Sequence, residues 1–206
     1  MPETQAPVSS QGRLIVIEGL DQSGKETQAQ LLRDHLRAAG HRSRVIAFPD
    51  YGTSIGEELA RALQGERDYE AYVMQLLYVA NRYERKPDIE RWLSGGLLLV
   101  ADRYTASSVA YGEAQELDAG WLADIQRFLP PADLTILLDI APETALTRKM
   151  TDRDRYERDL DLLGRVRASY RRQAQDASWV VIDGERSKRD VTGDVIAAVD
   201  ALLAPS

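Results

Sequence analysis

A glycine-bearing segment that directly follows an apolar run restricts the fold of this chain more than any other feature. The apolar run covers residues 14–17, and the segment reads Gly19-Leu20-Asp21-Gln22-Ser23-Gly24-Lys25-Glu26-Thr27. A buried strand that turns through glycines into a helix, with a lysine at the helix start, has the spacing of a P-loop. The pattern predicts that these residues bind the phosphates of a nucleotide.

The chemistry of phosphate binding explains this spacing. Glycines let backbone N–H groups wrap phosphate oxygens, the helix N-terminus adds partial positive charge, and Lys25 reaches the β and γ phosphates. A glycine-rich turn without a ligand is the alternative interpretation. Glu26 departs from the pattern, because it stands where serine or threonine contributes an oxygen to Mg²⁺. The motif therefore leaves open whether Glu26 takes part in metal binding.

Four more apolar runs lie along the chain, and helical patterns separate them. The runs cover residues 44–48, 97–101, 134–140 and 179–182. Buried strands that alternate with helices are typical of a doubly wound α/β domain, in which ligands bind outside the carboxyl ends of the strands. With 206 residues, the chain is expected to form a single domain over 13–206, after a loose polar tail over 1–12.

Composition narrows the kinds of site that the chain can hold. It has no cysteine and two histidines, so thiol catalysis and Cys-ligated zinc are excluded and any metal is expected to bind oxygen. No apolar run approaches the ~20 residues that span a bilayer, and no secretory signal is evident, so a cytoplasmic protein without a membrane partner is expected. The net charge of −7 argues against a nucleic-acid partner and leaves small anionic substrates open.

A second group of residues belongs at the strand ends. Asp102-Arg103-Tyr104 follows the run at 97–101, which places an acid, a guanidinium and an aromatic ring where ligands collect. A strand-end salt bridge is the alternative for such a tripeptide. Its position downstream of a P-loop favours a role in the nucleotide site.

The segment from Tyr69 to Trp92 has the periodicity of a helix. Its apolar residues predict a stripe that faces the core, formed by Tyr72, Val73, Leu76, Leu77, Ala80 and Tyr83. Tyr78 and Arg82 fall on the opposite face. They would be solvated on an isolated surface helix, or would stack on a base and donate to its edge if a site faces them.

Several motifs in order resemble those of the thymidylate kinases, over nearly the whole chain from Arg13 to about Leu203. They are Glu18 through Lys25, Phe48-Pro49, the nine residues from Leu76 to Glu84, Asp102-Arg103-Tyr104 and Arg155-Tyr156-Glu157. The third motif, with its Asn-Arg pair behind an aromatic residue, separates this family from adenylate and guanylate kinases. The resemblance implies a P-loop fold with a five-stranded parallel sheet, helices on both faces, a short lid at about 148–158 and usually a homodimer.

The resemblance also implies roles in a dTMP site. Tyr78 would stack on the thymine, Arg82 would hydrogen-bond its edge, Asp21 would accept from the 3′-hydroxyl, and Tyr111 would exclude a ribose 2′-hydroxyl. The other residues implied at the dTMP site are Phe48, Arg103, Ser107 and Tyr156.

On the ATP side, the resemblance implies that Arg103 bridges the two phosphates and that Asp102 helps to organise Mg²⁺. Arg148 would stack near adenine, and Arg153 and Arg155 would reach the phosphates, although each lid arginine could instead belong to a solvated helix face. Two positions depart from some family members, because Gln22 and Tyr51 stand where those members carry arginine. The transition-state cation is therefore expected from the lid, and binding of the acceptor phosphate is expected to depend more on Arg103.

The sequence predicts phosphoryl transfer from ATP to dTMP, with Mg²⁺, to give ADP and dTDP for dTTP synthesis. No general base is needed, because a phosphate monoester has a second pKa of about 6. Two alternatives stay open at this point. One is a kinase for another nucleoside monophosphate, against which Tyr78, Arg82 and Tyr111 argue. The other is a non-catalytic nucleotide-binding regulator, and Glu26 is the only residue that directly supports this alternative.

Overall fold

A parallel sheet forms the centre of the protein, whose structure is a computed structural model that describes residues 12–148 and 159–204. The strands are β1 (Arg13–Glu18), β2 (Ser43–Ala47), β3 (Leu98–Asp102), β4 (Leu134–Asp139) and β5 (Trp179–Asp183). They pair in the order β2-β3-β1-β4-β5. The five strands predicted from the sequence are confirmed, each end within one residue.

Helices connect the strands and cover both faces of the sheet. Those in the described residues are α1 (Lys25–Ala38), α2 (Ser54–Leu63), α3 (Ala71–Ser94), α4 (Thr105–Ala114), α5 (Ala119–Asp124), α6 (Pro142–Arg148), α7 (Leu160–Gln173) and α8 (Lys188–Leu203). One core layer joins α1 and α8 to the sheet, and layers that include residues of α3, α4 and α7 cover the other face. None of the described helices is both long enough and apolar enough to cross a membrane.

Strand β1 lies in the middle of the sheet and is buried from both sides. Ile15 and Ile17 pack in the layer with α1 and α8, whereas Leu14 and Val16 pack on the opposite face. Because both faces are covered, the strand is continuously apolar rather than alternating. Its neighbours in register are β3 and β4. Because β1 and β3 are parallel, the loop after β1 and the end of β3 lie next to each other at the carboxyl ends of the strands.

The apolar stripe predicted for α3 is wrong in its N-terminal half. Tyr72, Val73 and Leu76 are exposed, at 52%, 40% and 47%, whereas Gln75 and Arg82 are buried. The reason is that the inward face of α3 borders a polar cavity, where polar side chains take positions that a purely apolar core would give to hydrophobic ones. Tyr72 packs at the surface against Trp121 of α5, with ring centroids 5.1 Å apart.

Candidate active site

A cavity of about 510 Å³ opens at the carboxyl ends of β1, β2 and β3. It brings together most of the residues that the sequence pointed to. The predicted residues in its wall are Asp21, Gln22, Gly24, Lys25, Glu26, Thr27, Phe48, Tyr78, Arg82, Asp102, Arg103, Ser107 and Tyr111. Gly19, Leu20 and Ser23 belong to the same loop as Asp21, but they lie behind it and are not part of the wall.

The loop between β1 and α1 depends on glycine at its first position. Gly19 has φ +145°, and a Cβ there would lie 2.6 Å from the carbonyl oxygen of Leu138 and 2.8 Å from Ser23 Oγ. A side chain at this point would therefore push the loop away from β4. Gly24, at φ +95°, then leads into α1, whose first residues line the cavity, so the N-terminus of this helix borders it.

Lys25 is held against this loop at the bottom of the cavity. Its side chain is 6% exposed, and Nζ donates to the carbonyl oxygen of Leu20 at 2.8 Å and lies 4.0 Å from Asp21 Oδ1. Burial lowers the pKa of Lys25 to about 8, an effect that Arg103 reinforces and that Asp21 and Asp102 oppose. The ammonium is therefore still mostly protonated at neutral pH, and it is poorly hydrated, which strengthens its attraction for a phosphate.

Arg103 is fixed by contacts at both ends of its guanidinium. Nη2 donates to Asp21 Oδ1 at 2.7 Å and to the Tyr111 hydroxyl at 3.2 Å. Nη1 donates to Ser107 Oγ at 3.2 Å and to the Tyr170 hydroxyl at 3.1 Å. The backbone of Arg103 has φ +65°, an uncommon conformation for a non-glycine residue and one that often occurs at functional sites.

Asp21 completes this cluster as its anion. Tyr111 donates to its Oδ2 at 3.0 Å, so both carboxylate oxygens are engaged. Burial opposes ionisation, but Arg103 and Lys25 outweigh it and lower the pKa of Asp21 well below its usual range. Asp21 is therefore a carboxylate, the state that can accept a hydrogen bond from a sugar hydroxyl.

Glu18 lies beneath the cluster and was not assigned a role from the sequence. It is fully buried, and its Oε1 accepts from the backbone N–H groups of Tyr104 and Ser107, at 2.8 and 3.2 Å. Its Oε2 accepts from Ser107 Oγ at 2.6 Å and from the Tyr170 hydroxyl at 3.0 Å. A carboxylate at the N-terminus of a helix is favourable, so Glu18 ties β1 to α4 and, through Tyr170, to α7.

The opposite wall of the cavity is formed by one face of α3. Arg82 is 3% exposed, and its Nη1 donates to Ser108 Oγ at 2.8 Å and to Gln126 Oε1 at 3.1 Å. Burial lowers the pKa of Arg82 to about 10, an effect that Glu18 opposes, so the side chain is a cation at neutral pH. Tyr78 and Gln75 share this wall. The solvated alternative for Tyr78 and Arg82 therefore does not hold.

Three residues of the site were not assigned a role from the sequence, namely Glu18, Tyr170 and Gln75. Glu18 could have been singled out as the charged end of an apolar run, and Gln75 as a polar residue on the helical face of Tyr78 and Arg82. No local signal points to Tyr170, which reaches the site from a helix near the other end of the chain.

The residues predicted for the lid lie at the end of a described range or outside the described residues. Arg148 is the last residue of α6, and it donates to the carbonyl oxygens of Gln22 at 3.2 Å and Gly184 at 3.0 Å. Arg153, Arg155 and Tyr156 lie outside the described residues, so their roles stay predictions. Glu26 and Thr27 are both exposed in the first turn of α1.

Comparison with known proteins identifies the family. The family model described as thymidylate kinase matches residues 17–195. The chain belongs to the thymidylate kinase family. A thymidylate kinase of Homo sapiens is 35% identical over 195 residues, which cover 93% of this chain and 92% of the human protein. One of Schizosaccharomyces pombe is 34% identical, with 92% of each chain covered.

A solved thymidylate kinase structure confirms the P-loop α/β fold. The structure of the Candida albicans thymidylate kinase matches with a TM-score of 0.85 and 29% identity, and covers 94% of this chain and 93% of that one. The central parallel sheet, the loop after β1 and the residues around Arg103 thus occur on a thymidylate kinase fold.

Proposed function

We propose that this thymidylate kinase transfers the terminal phosphoryl group of ATP to dTMP, giving ADP and dTDP for dTTP synthesis. The observation that carries the proposal is that one cavity contains both a phosphate loop with Lys25 and a base-sized wall with Tyr78 and Arg82. Arg103 lines the same cavity. Donor and acceptor phosphates can therefore meet beside one fixed guanidinium.

The reaction needs alignment and positive charge rather than a base. The acceptor oxygen of dTMP is already ionised near neutral pH, since a phosphate monoester has a second pKa of about 6. That oxygen bonds to the γ-phosphorus, the bond to the β–γ bridging oxygen breaks, and its electron pair leaves with ADP. Lys25 and Arg103 stabilise the charge on the transferring group, and their fixed positions avoid reorganisation during the step.

We propose that Asp102 contributes to a Mg²⁺ site. The described residues contain no cluster of three or more histidine, aspartate or glutamate side chains that could hold a metal by themselves. Mg²⁺ commonly binds through one or two carboxylates together with waters and substrate phosphates, so a single carboxylate at the end of β3 fits this chemistry. When bound, the ion neutralises charge on the ATP phosphates.

We place the sugar of dTMP beside Asp21 and Tyr111. The Asp21 carboxylate is ionised and would accept from a 3′-hydroxyl, while the Tyr111 ring would fill the space that a 2′-hydroxyl needs. Tyr78 would stack on the thymine and Arg82 would donate to its edge, with Phe48 in the same wall, where its ring centroid lies 5.9 Å from Arg82 Cζ. Stacking and charged hydrogen bonds together give base selectivity.

We propose that two copies of the chain form a homodimer through the exposed apolar side chains of α3. Tyr72, Val73 and Leu76 lie near one another on this helix and are 40–52% exposed. A contiguous apolar surface of this kind often marks a protein interface. A cytoplasmic location stays a prediction from the sequence.

A coupled assay of ADP release over a panel of nucleoside monophosphates tests the function. We expect dTMP to be the best acceptor and AMP, GMP and CMP to be poor ones. Faster turnover of any of those three at equal concentration would contradict the proposal. ATP binding without ADP release for any acceptor would favour a non-catalytic regulator instead. The panel includes dUMP, because the Candida albicans relative has a broad substrate specificity.

A further inference from the structure

Gln75 is a buried polar side chain in the cavity wall, and it has no part in the phosphoryl transfer described for Lys25 and Arg103. It precedes Tyr78 by three residues and Arg82 by seven, so the helical repeat places the three on one face of α3. Gln75 is 1% exposed and lines the cavity. Its Oε1 has no hydrogen-bond partner among the described residues.

An unpartnered amide oxygen in this place is unfavourable for the protein without its substrate. Buried polar groups in folded proteins nearly always have hydrogen-bond partners, and an exception calls for a specific explanation. Arg82 shows the complementary feature, because its Nη1 is engaged by Ser108 and Gln126 while its Nε has no partner. The α3 wall thus contains an acceptor, Gln75 Oε1, and a donor, Arg82 Nε, that each have no hydrogen-bond partner among the described residues.

The donor and acceptor atoms of these two groups are of the kinds that a thymine edge requires. The thymine edge carries an acceptor, O4, next to a donor, N3–H. Arginine has donors only, so Arg82 can satisfy O4 but not N3–H. An amide has both an oxygen and an NH₂ group, and rotation about its last bond exchanges them, so it can turn its oxygen to a donor.

We propose that Gln75 is a specificity-determining residue that accepts a hydrogen bond from N3–H of the thymine, while Arg82 donates to O4. The inference rests on the proposed function, since it names how the same site reads its base. It also predicts discrimination against cytosine, whose edge presents an amino donor in place of O4. Arg82 would then face a donor with a donor, and no rotation of the Gln75 amide removes that conflict.

The test combines a protein change with a substrate change. Gln75→Leu removes the polar atoms at nearly constant size, and 3-methyl-dTMP removes the N3–H. We measure kcat/KM for dTMP, dUMP and 3-methyl-dTMP with the parent and the variant. We expect Gln75→Leu to lower kcat/KM about tenfold for dTMP and equally for dUMP, the loss of one buried hydrogen bond. For 3-methyl-dTMP we expect the parent and the variant to be equal.

Gln28→Leu is the matched control. Gln28 is also a buried glutamine with an unpartnered Oε1, but it lies on α1 and outside the cavity wall. We expect it to leave all three values within about twofold of the parent. Gln75→Met, which keeps the length of the side chain without an acceptor of similar strength, provides a second variant should Gln75→Leu fail to fold.

Three results would overturn the inference. They are an unchanged kcat/KM for dTMP, a loss for dTMP without a loss for dUMP, and an equal loss for all three substrates. The second would assign Gln75 to the 5-methyl group, and the third would assign it a structural role only. A parent protein that does not phosphorylate dTMP would instead refute the proposed function itself, so the two failures are distinguishable.

Discussion

Arg103 has its position set by four side chains and by its own backbone. Its neighbours come from three parts of the chain: Asp21 after β1, Ser107 and Tyr111 on α4, and Tyr170 on α7. A guanidinium held in this way is ready before substrate binds, which is how preorganised charge lowers a barrier. Lysine would keep the positive charge but could not make the contacts of both Nη atoms, so an arginine is needed here and not merely a cation.

The exposed position of Glu26 leads to a prediction about the departure from the P-loop pattern. Its carboxylate stands in the first turn of α1, where solvent can screen it from the phosphates. We expect Glu26→Ser to leave kcat/KM for Mg-ATP within about tenfold of the parent, without a higher Mg²⁺ requirement, because waters can complete the shell of this ion.

The measurement is a titration of Mg²⁺ at fixed ATP, with the parent protein titrated in parallel. A loss much larger than tenfold that excess Mg²⁺ restores would show that Glu26 is a metal ligand.

Residues of the site differ in how far the sequence alone could predict them. Lys25 and Arg103 stand in short motifs whose spacing encodes their geometry, so they could be placed before the fold was known. Tyr170 could not, because its role depends on residues that are distant in the sequence and meet it only in the fold. Tyr170 meets Glu18 over 152 positions of the chain, a separation at which local spacing carries no information.

Helix α7 takes part in the site through a single hydroxyl group. Tyr170 contacts Arg103, Ser107 and Glu18, and it is 1% exposed. Burial and the neighbouring Glu18 raise the pKa of Tyr170 well above that of an ordinary tyrosine, so it remains a neutral donor. Tyr170 is therefore a positioning residue, which acts on the reaction through Arg103.

We expect Tyr170→Phe to lower kcat about tenfold while KM for dTMP changes less, because Arg103 loses one of its four anchors and buried Glu18 loses a donor. Steady-state kinetics give the split between kcat and KM, and thermal unfolding reports stability. Tyr83→Phe is the control, since the Tyr83 hydroxyl donates to the carbonyl oxygen of Ile125, at 3.1 Å, and contacts neither Arg103 nor Glu18 within the described part of the chain. Equal effects of the two variants on kcat would contradict the assignment.

The segment predicted as a lid, at about 148–158, leads to a prediction about the transition-state cation. Gln22 occupies the place where some family members have arginine, so one of Arg153 and Arg155 is expected to supply the transition-state cation. An arginine finger is worth about 10³–10⁵ in rate. Alanine at both positions should lower kcat far more than it raises KM for dTMP, in the same steady-state assay. An unchanged kcat in the double variant would rule out both residues.

Secondary-structure elements were predictable where burial follows composition. Each of the five strands is built on an apolar run, because helices cover both faces of the sheet, and the predicted bounds agree with the structure to within one residue. Helix α3 was predicted in extent but not in orientation. In its N-terminal half the inward side borders a polar cavity, and the apolar side formed by Tyr72, Val73 and Leu76 faces outward, an arrangement that periodicity alone cannot distinguish from the reverse.

That outward apolar side gives the prediction for the whole molecule. We expect the parent to sediment as a dimer, and Leu76→Arg to sediment as a monomer, because the charge would have to be desolvated in the interface. Val181→Arg is the control, since Val181 is similarly exposed, at 49%, but lies in β5 at the far edge of the sheet. A dimeric Leu76→Arg variant would place the interface elsewhere.

The central position of β1 has a consequence for local opening of the protein. Residues 14–17 are at most 1% exposed and hydrogen-bonded to strands on both sides. Their amide hydrogens should therefore exchange with deuterium only when the whole domain unfolds, whereas β2 and β5, at the sheet edges, should exchange sooner. The phosphate loop is attached to this slowest-exchanging strand. Many catalytic cycles can thus take place between two events in which β1, the strand that carries the phosphate loop, unfolds.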